Sequence, residues 1–98
     1  MGSERVFIIA GKRSAVAPRS GAFASLTYYD LAAQVVIDIL KEAKIDKLEV
    51  DELIVSNALG AGGNPARMVS LEAKLNLSVC GISIDRQCCG GLDAISIG

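Results

Sequence analysis

Asp85-Arg86-Gln87-Cys88-Cys89-Gly90-Gly91-Leu92 joins two kinds of periodicity, and that junction sets the fold. Before it, Ile82 and Ile84 with polar residues between them give the two-residue repeat of a strand. After it, Leu92-Asp93-Ala94-Ile95-Ser96-Ile97 begins an amphipathic helical pattern that opens near Gly90. A thiol therefore stands where a strand ends and a helix starts, and the small residues Gly90 and Gly91 let a substrate approach closely. A helix N-terminus carries partial positive charge on its unpaired N–H groups, which favours an anionic nucleophile and can hold an oxyanion. The same residues also admit a plainer reading, in which Cys88 and Cys89 are small core residues, since free cysteine is among the most buried residue types.

Upstream of this junction the chain alternates apolar runs with helical patterns. Gly60-Ala61-Gly62-Gly63 forms a flexible turn into Asn64-Pro65, where Asn can cap a helix and Pro suits the first helical position. The spacing predicts a second helix running towards Asn76, with Met68, Leu71 and Leu75 facing inward and Arg67, Ser70 and Lys74 facing elsewhere. Leu53-Ile54-Val55 reads as strand two, ending at Ser56-Asn57 and preceded by the charged connection Ile45 to Asp51. Thr27-Tyr28-Tyr29-Asp30 places a hydroxyl three residues before a carboxylate, a capping box that opens helix one. In that helix Asp30, Gln34, Asp38 and Lys41 or Glu42 form the polar stripe, and Leu31, Val35, Val36, Ile39 and Leu40 fill a wide apolar face that should be mostly covered. Ser14 to Ser25 has neither period and reads as an irregular loop. Val6-Phe7-Ile8-Ile9-Ala10 is a continuous apolar run, expected to be strand one and buried on both faces.

Strand, helix, strand, helix, strand and then a helix at the thiol predict a layered α/β fold with at least partly parallel strands. The last helix stops at Gly98, short of the ~11 residues of an average helix, so residues 1–98 are expected to be an incomplete piece of something longer.

Composition narrows the function. Charged residues make up 21% of the chain and nearly cancel to a net charge of -1, which leaves no electrostatic footprint for nucleic acid or an anionic membrane. The apolar stretches fall well below the ~20 residues of a bilayer span, so no membrane segment is expected. The opening Met1 to Arg5 leaves no room for a signal peptide, which makes cytoplasmic the expected compartment. Three cysteines, Cys80, Cys88 and Cys89, suit reduced thiols better than a disulfide framework. They lack the paired ligand spacing and histidines of a structural zinc site, so no metal is expected.

The thiol segment resembles the nucleophile segment of thiolases, which typically reads Asn, two variable residues, Cys, two small residues, Gly, Leu. The resemblance continues through Val6 to Arg13, Ala43-Lys44-Ile45-Asp46, Val50-Asp51-Glu52-Leu53-Ile54 and, most specifically, Gly63-Asn64-Pro65-Ala66-Arg67. It implies that the chain holds most of the first of two βαβαβ-type halves, truncated in the nucleophile helix and with the C-terminal half absent. It also implies that Cys88 takes an acyl group from acyl-CoA, with Gly90 and Gly91 beside the substrate, in ping-pong covalent catalysis that needs coenzyme A thioesters and no other cofactor. The family further uses a histidine that activates the nucleophile, a second cysteine that moves the other substrate's proton, and an asparagine-held water, all from the C-terminal half. This chain contains no histidine, so alone it is expected to be catalytically silent. A homodimer or homotetramer is implied for the complete protein, and the piece alone would expose apolar surface and tend to aggregate.

The match departs from the pattern at three positions. Asp85 stands where Asn is usual, Cys80 where Pro commonly precedes the third strand, and Cys89 where Ser or Gly is general, which leaves two adjacent thiols to choose between. Two other functions remain open on sequence grounds: a non-catalytic thiolase-like scaffold or binding module, and a nucleotide-binding α/β domain using the glycine turn. Arg67 is read as a structural or solvated arginine.

Overall fold

The computed structural model describes residues 4–60 and 62–98; Met1 to Ser3 and Ala61 of the glycine turn lie outside them. Five regular elements follow in order: α1 (Tyr28–Ala43), β1 (Glu52–Ser56), α2 (Pro65–Glu72), β2 (Cys80–Ile84) and α3 (Gly90–Ile97). Single 3-10 turns at Lys47–Glu49 and Gln87–Cys89 precede β1 and α3.

Local chemistry fixes the ends of α1. The Thr27 hydroxyl accepts from the Asp30 N–H while the Asp30 carboxylate accepts from the Thr27 N–H, closing the expected capping box. At the other end Lys44 turns into the left-handed region, φ 57°, and the Ile45 and Lys44 N–H groups return to the Leu40 and Lys41 carbonyls. This paired return satisfies carbonyls that a helix end otherwise leaves free. Helix α2 ends in the same way, with Lys74 at φ 57°, the Leu75 N–H on Ser70 O and the Lys74 N–H on Leu71 O. That stop falls before Asn76, so α2 is shorter than its periodicity predicts.

Strands β1 and β2 pair in parallel, with Leu53 opposite Gly81, Ile54 opposite Ile82 and Ser56 opposite Ile84. A parallel pair needs a crossover, and α2 supplies it, packing on both strands. Helix α1 packs on α2, and α3 on β1. The core lies between α1, α2 and the sheet: Ala33, Ala73, Leu75 and Val79 are buried, with Val36, Ile37, Leu40, Val50 and Leu53 packed against them.

The buried face of α2 differs from the expected one. Ala66, Val69, Ser70 and Ala73 are inside, whereas Met68 and Leu71 are exposed at 41% and 43%. The reason is a close approach of backbones: a Cβ on Gly81 would come within 2.8 Å of the Arg67 nitrogen, so only small side chains fit between α2 and β2. Leu75 is buried as expected, but from beyond the helix end. Helix α1 is covered less than predicted, since only Ala33 is fully buried and most of its other apolar residues are half-buried.

Val6 to Ala10 does not form the predicted first strand. Val6, Phe7, Ile8 and Ile9 are between 71% and 82% exposed. An apolar run becomes a buried strand only when a neighbour pairs with its backbone, and β1 and β2 pair with each other instead. An ion pair between Lys12 and Glu42 ties the following loop to α1.

Candidate active site at the strand to helix junction

The candidate nucleophile lies in the turn between β2 and α3. Asp85 leaves the strand and its Oδ1 accepts from the Gln87 N–H at 3.0 Å, a side-chain turn of the kind Asp makes with backbone two residues on. Gln87 then takes φ 50°, a left-handed conformation that non-glycine residues seldom adopt. The Cys89 N–H closes the turn on Arg86 O at 3.1 Å, and the Gly90 N–H follows on Gln87 O. Across the turn the Arg86 guanidinium pairs with Asp93 in the first turn of α3, clasping the segment that carries both thiols.

Within residues 1–98 Cys88 and Cys89 are both exposed, so neither belongs to the core that these residues build. These residues therefore present two thiols to solvent, at the two positions just ahead of α3. No side-chain hydrogen bond caps α3, and its first N–H, on Gly90, already donates to Gln87 O. The third thiol, Cys80, opens β2 at the end of the strand away from this turn.

The two glycines next to the thiols have different surroundings. Gly90 is buried, and a Cβ there would fall 1.8 Å from the Ser56 Oγ and 2.8 Å from the Ser56 Cβ. Its missing side chain is what lets α3 lie against the end of β1. Gly91 is exposed, with nothing within 4 Å of a Cβ placed on it. Of the pair, only Gly91 faces open space.

The glycine turn has a separate structure. Gly60 and Gly63 have φ of 81° and 73°, and the Gly60 N–H donates to Asn57 Oδ1. A cleft of about 210 Å³ lies between Asn57, Gly60, Gly63, Pro65, Ser83 and Asp85. The N-terminus of α2 beside it is already satisfied: Asn64 Oδ1 accepts from the Arg67 N–H, Ser83 Oγ accepts from the Ala66 N–H, and Pro65 has no N–H. A phosphate would find those donors occupied, which weighs against nucleotide binding by this turn.

Asn64 does more than cap. Its Nδ2 donates to Gly81 O at 3.0 Å and its Oδ1 also receives the Ser83 hydroxyl, so one side chain ties α2 to β2. Arg67 has the structural role expected of it, donating from Nη1 to the Leu77 and Val79 carbonyls. Sequence reading marked Asn64 as a cap but missed the bonds to Gly81 and Ser83, which join residues far apart in the chain. It also missed Ser56, for which no local signal exists.

A parallel βαβ unit followed by an exposed thiol at a helix start defines an α/β scaffold with a thiol at its strand-to-helix junction, and comparison with known proteins gives it a family. The description of the thiolase N-terminal domain matches residues 6–98, and the chain belongs to the thiolase family. It is 37% identical over 92 residues to an acetyl-CoA acetyltransferase of Escherichia coli, covering 92% of this chain and 23% of that protein. It is 40% identical over 88 residues to a putative acetyl-CoA C-acetyltransferase, YhfS, of Bacillus subtilis, covering 90% of this chain and 23% of that one. Among solved structures, the Acat5 thiolase of Ascaris suum in complex with coenzyme A superposes with a TM-score of 0.76 at 29% identity, over 80% of this chain and 21% of the other. The acetyl-CoA acetyltransferase of Syntrophomonas wolfei gives 0.71 at 27% identity, over 80% and 20%. The fold is thus thiolase-like, and the chain spans less than a quarter of the length of the curated relatives it matches. Among the described residues no helix is long and apolar enough to cross a membrane.

Proposed function

We propose that residues 1–98 are the N-terminal, thiol-bearing part of an acyl-CoA acyltransferase that forms or cleaves 3-ketoacyl-CoA, with Cys88 as the acyl acceptor. The observation that carries this reading is the exposed Cys88 at the junction of β2 and α3, in a chain matched almost throughout to the thiolase N-terminal domain. The frame of the segment selects Cys88 over Cys89, because Gly91-Leu92 then fall where the family has Gly and Leu.

In the proposed first half-reaction the Cys88 sulfur attacks the thioester carbonyl, the carbonyl oxygen becomes an oxyanion, and the Cys88 backbone N–H contributes to holding it. Gly91 leaves space for the acyl group, while Gly90 serves the reaction by seating α3 on Ser56. Coenzyme A leaves as a thiol, and the acyl-enzyme passes its acyl group either to a second acyl-CoA carbanion or, in the cleaving direction, to coenzyme A. Activation of the thiol and proton transfer to the second substrate fall to a histidine and a further cysteine outside these residues. Without them the loss is ~100-fold or more for the base alone, so residues 1–98 by themselves do not turn over. The complete protein is a homodimer or homotetramer working in the cytoplasm.

The test uses the full-length product of the gene that encodes these residues. Incubation with acetyl-CoA or acetoacetyl-CoA followed by peptide mass spectrometry should place an acyl group on Cys88. An active protein with its acyl group elsewhere sinks the assignment, and so does full activity in Cys88→Ser.

A further inference from the structure

Besides the acyl chemistry, the thiol turn has the parts of a second reactive site. Cys88 and Cys89 are consecutive, both exposed, and neither sulfur has a hydrogen bond or ion pair among the described residues. We propose that the Cys88–Cys89 pair is a reversible oxidation site, in which a hydroperoxide oxidises one sulfur and the adjacent sulfur captures it as a vicinal disulfide.

The step balances without any group held by the protein. The Cys88 thiolate attacks the outer oxygen of the hydroperoxide, the O–O bond breaks, an alcohol or water leaves, and Cys88 becomes a sulfenic acid. The Cys89 sulfur then attacks the Cys88 sulfur, an S–S bond forms, the S–O bond breaks and water leaves. Two thiols have lost two electrons and two protons, and the peroxide has gained them.

Geometry selects Cys89 as the resolving thiol. Cys80 opens β2, and the four steps to Ile84 at about 3.3 Å each put it roughly 13 Å from the far end of that strand. That exceeds the ~7 Å beyond which two Cα atoms cannot be bridged. Consecutive Cα atoms lie about 3.8 Å apart, shorter than the usual disulfide range of roughly 4.4 to 6.8 Å, so the turn must shift to close the ring, which is strained and opens readily to a reducing thiol. A strained, exposed disulfide is a labile one, which suits temporary protection better than structure. The protective meaning, that the nucleophile is parked rather than destroyed, rests on the acyl-acceptor reading of Cys88; the oxidation itself does not.

Trypsin makes the test direct, because cleavage after Lys74 and Arg86 puts Cys80 in one peptide and both Cys88 and Cys89 in another that begins at Gln87. The protein is treated with a several-fold molar excess of hydrogen peroxide, alkylated with iodoacetamide and digested. The peptide that begins at Gln87 should lose two hydrogens and refuse both alkyl groups, and prior reduction with dithiothreitol should restore both. In Cys89→Ser, whose side chain stays exposed and outside the core, Cys88 should instead gain two or three oxygens that dithiothreitol does not remove. A disulfide between the two peptides, or over-oxidation of Cys88 as fast with Cys89 as without it, overturns the proposal. The readout is mass, so failure here is distinct from failure to acylate.

Discussion

Gly90→Ala offers a sharp test of how α3 is held, because the structure sets its size. The added Cβ would lie 1.8 Å from Ser56 Oγ and 2.8 Å from Ser56 Cβ. The hydroxyl can rotate away, but the Ser56 Cβ cannot. Carbon atoms rest about 3.5 to 4.0 Å apart, so α3 must retreat by roughly 1 Å, and a gap of that size forfeits up to about half of each contact it opens. Overpacking of this kind costs about 1–3 kcal/mol. Alanine returns at most ~1 kcal/mol of helix propensity relative to glycine, which leaves a net loss of about 1–2 kcal/mol. Urea unfolding followed by far-ultraviolet circular dichroism should show the midpoint fall by about 1 M or more, given slopes near 1 kcal/mol/M for small chains. Ser56→Gly removes the colliding atoms, so in the double variant the Gly90→Ala penalty should shrink by ~1 kcal/mol or more. Gly91→Ala, with open space around it, should stay within about 0.5 kcal/mol of the parent. A Gly90→Ala midpoint equal to the parent's, or strict additivity with Ser56→Gly, would refute the contact.

Other substitutions probe the rest of the scaffold by the same unfolding assay. Gly81→Ala should cost about 2–3 kcal/mol, because its Cβ would meet the backbone of Ala66 and Arg67, which cannot turn aside. Asn64→Ala removes the α2 cap together with the bonds to Gly81 and Ser83, and a loss of about 2 kcal/mol is expected. Ser70→Ala should raise stability by ~1 kcal/mol, since the Ser70 hydroxyl is buried without a partner among the described residues; a lower midpoint would show that it is satisfied after all. Thr27→Ala breaks the α1 capping box and should cost ~1 kcal/mol, visible also as weaker helical ellipticity.

Features encoded by neighbouring residues were legible in the sequence. The Thr27 and Asp30 box, the Asn64-Pro65 start of α2 and the strand to helix change around Cys88 all depend on residues within a few positions of one another. Features decided by distant packing were not. Periodicity offered α2 an apolar face through Met68 and Leu71, but the close approach of Gly81 to Arg67 selected the small face of Ala66, Val69 and Ala73. Val6 to Ile9 has the composition of a buried strand, yet pairing is a property of its neighbours and not of its own side chains. The close approach of Gly90 to Ser56 joins two elements far apart in the chain and leaves no local mark in the sequence. The thiolase resemblance carried further than any local pattern, because it placed the whole chain in one frame that the family match and the superpositions support.

The clasp between Arg86 and Asp93 gives the thiol turn a property that the sheet and core beneath it lack. Its two side chains are 69% and 30% exposed, so the attraction between them is screened by dissolved ions, and such a pair contributes only about 0–1 kcal/mol in any case. The β1–β2 ladder and the core beneath α2 are held by contacts that salt hardly weakens. Ionic strength therefore acts on this clasp, as on the Lys12–Glu42 pair, and hardly on the core: as it rises, the arch over Cys88 and Cys89 slackens while the sheet beneath stays fixed.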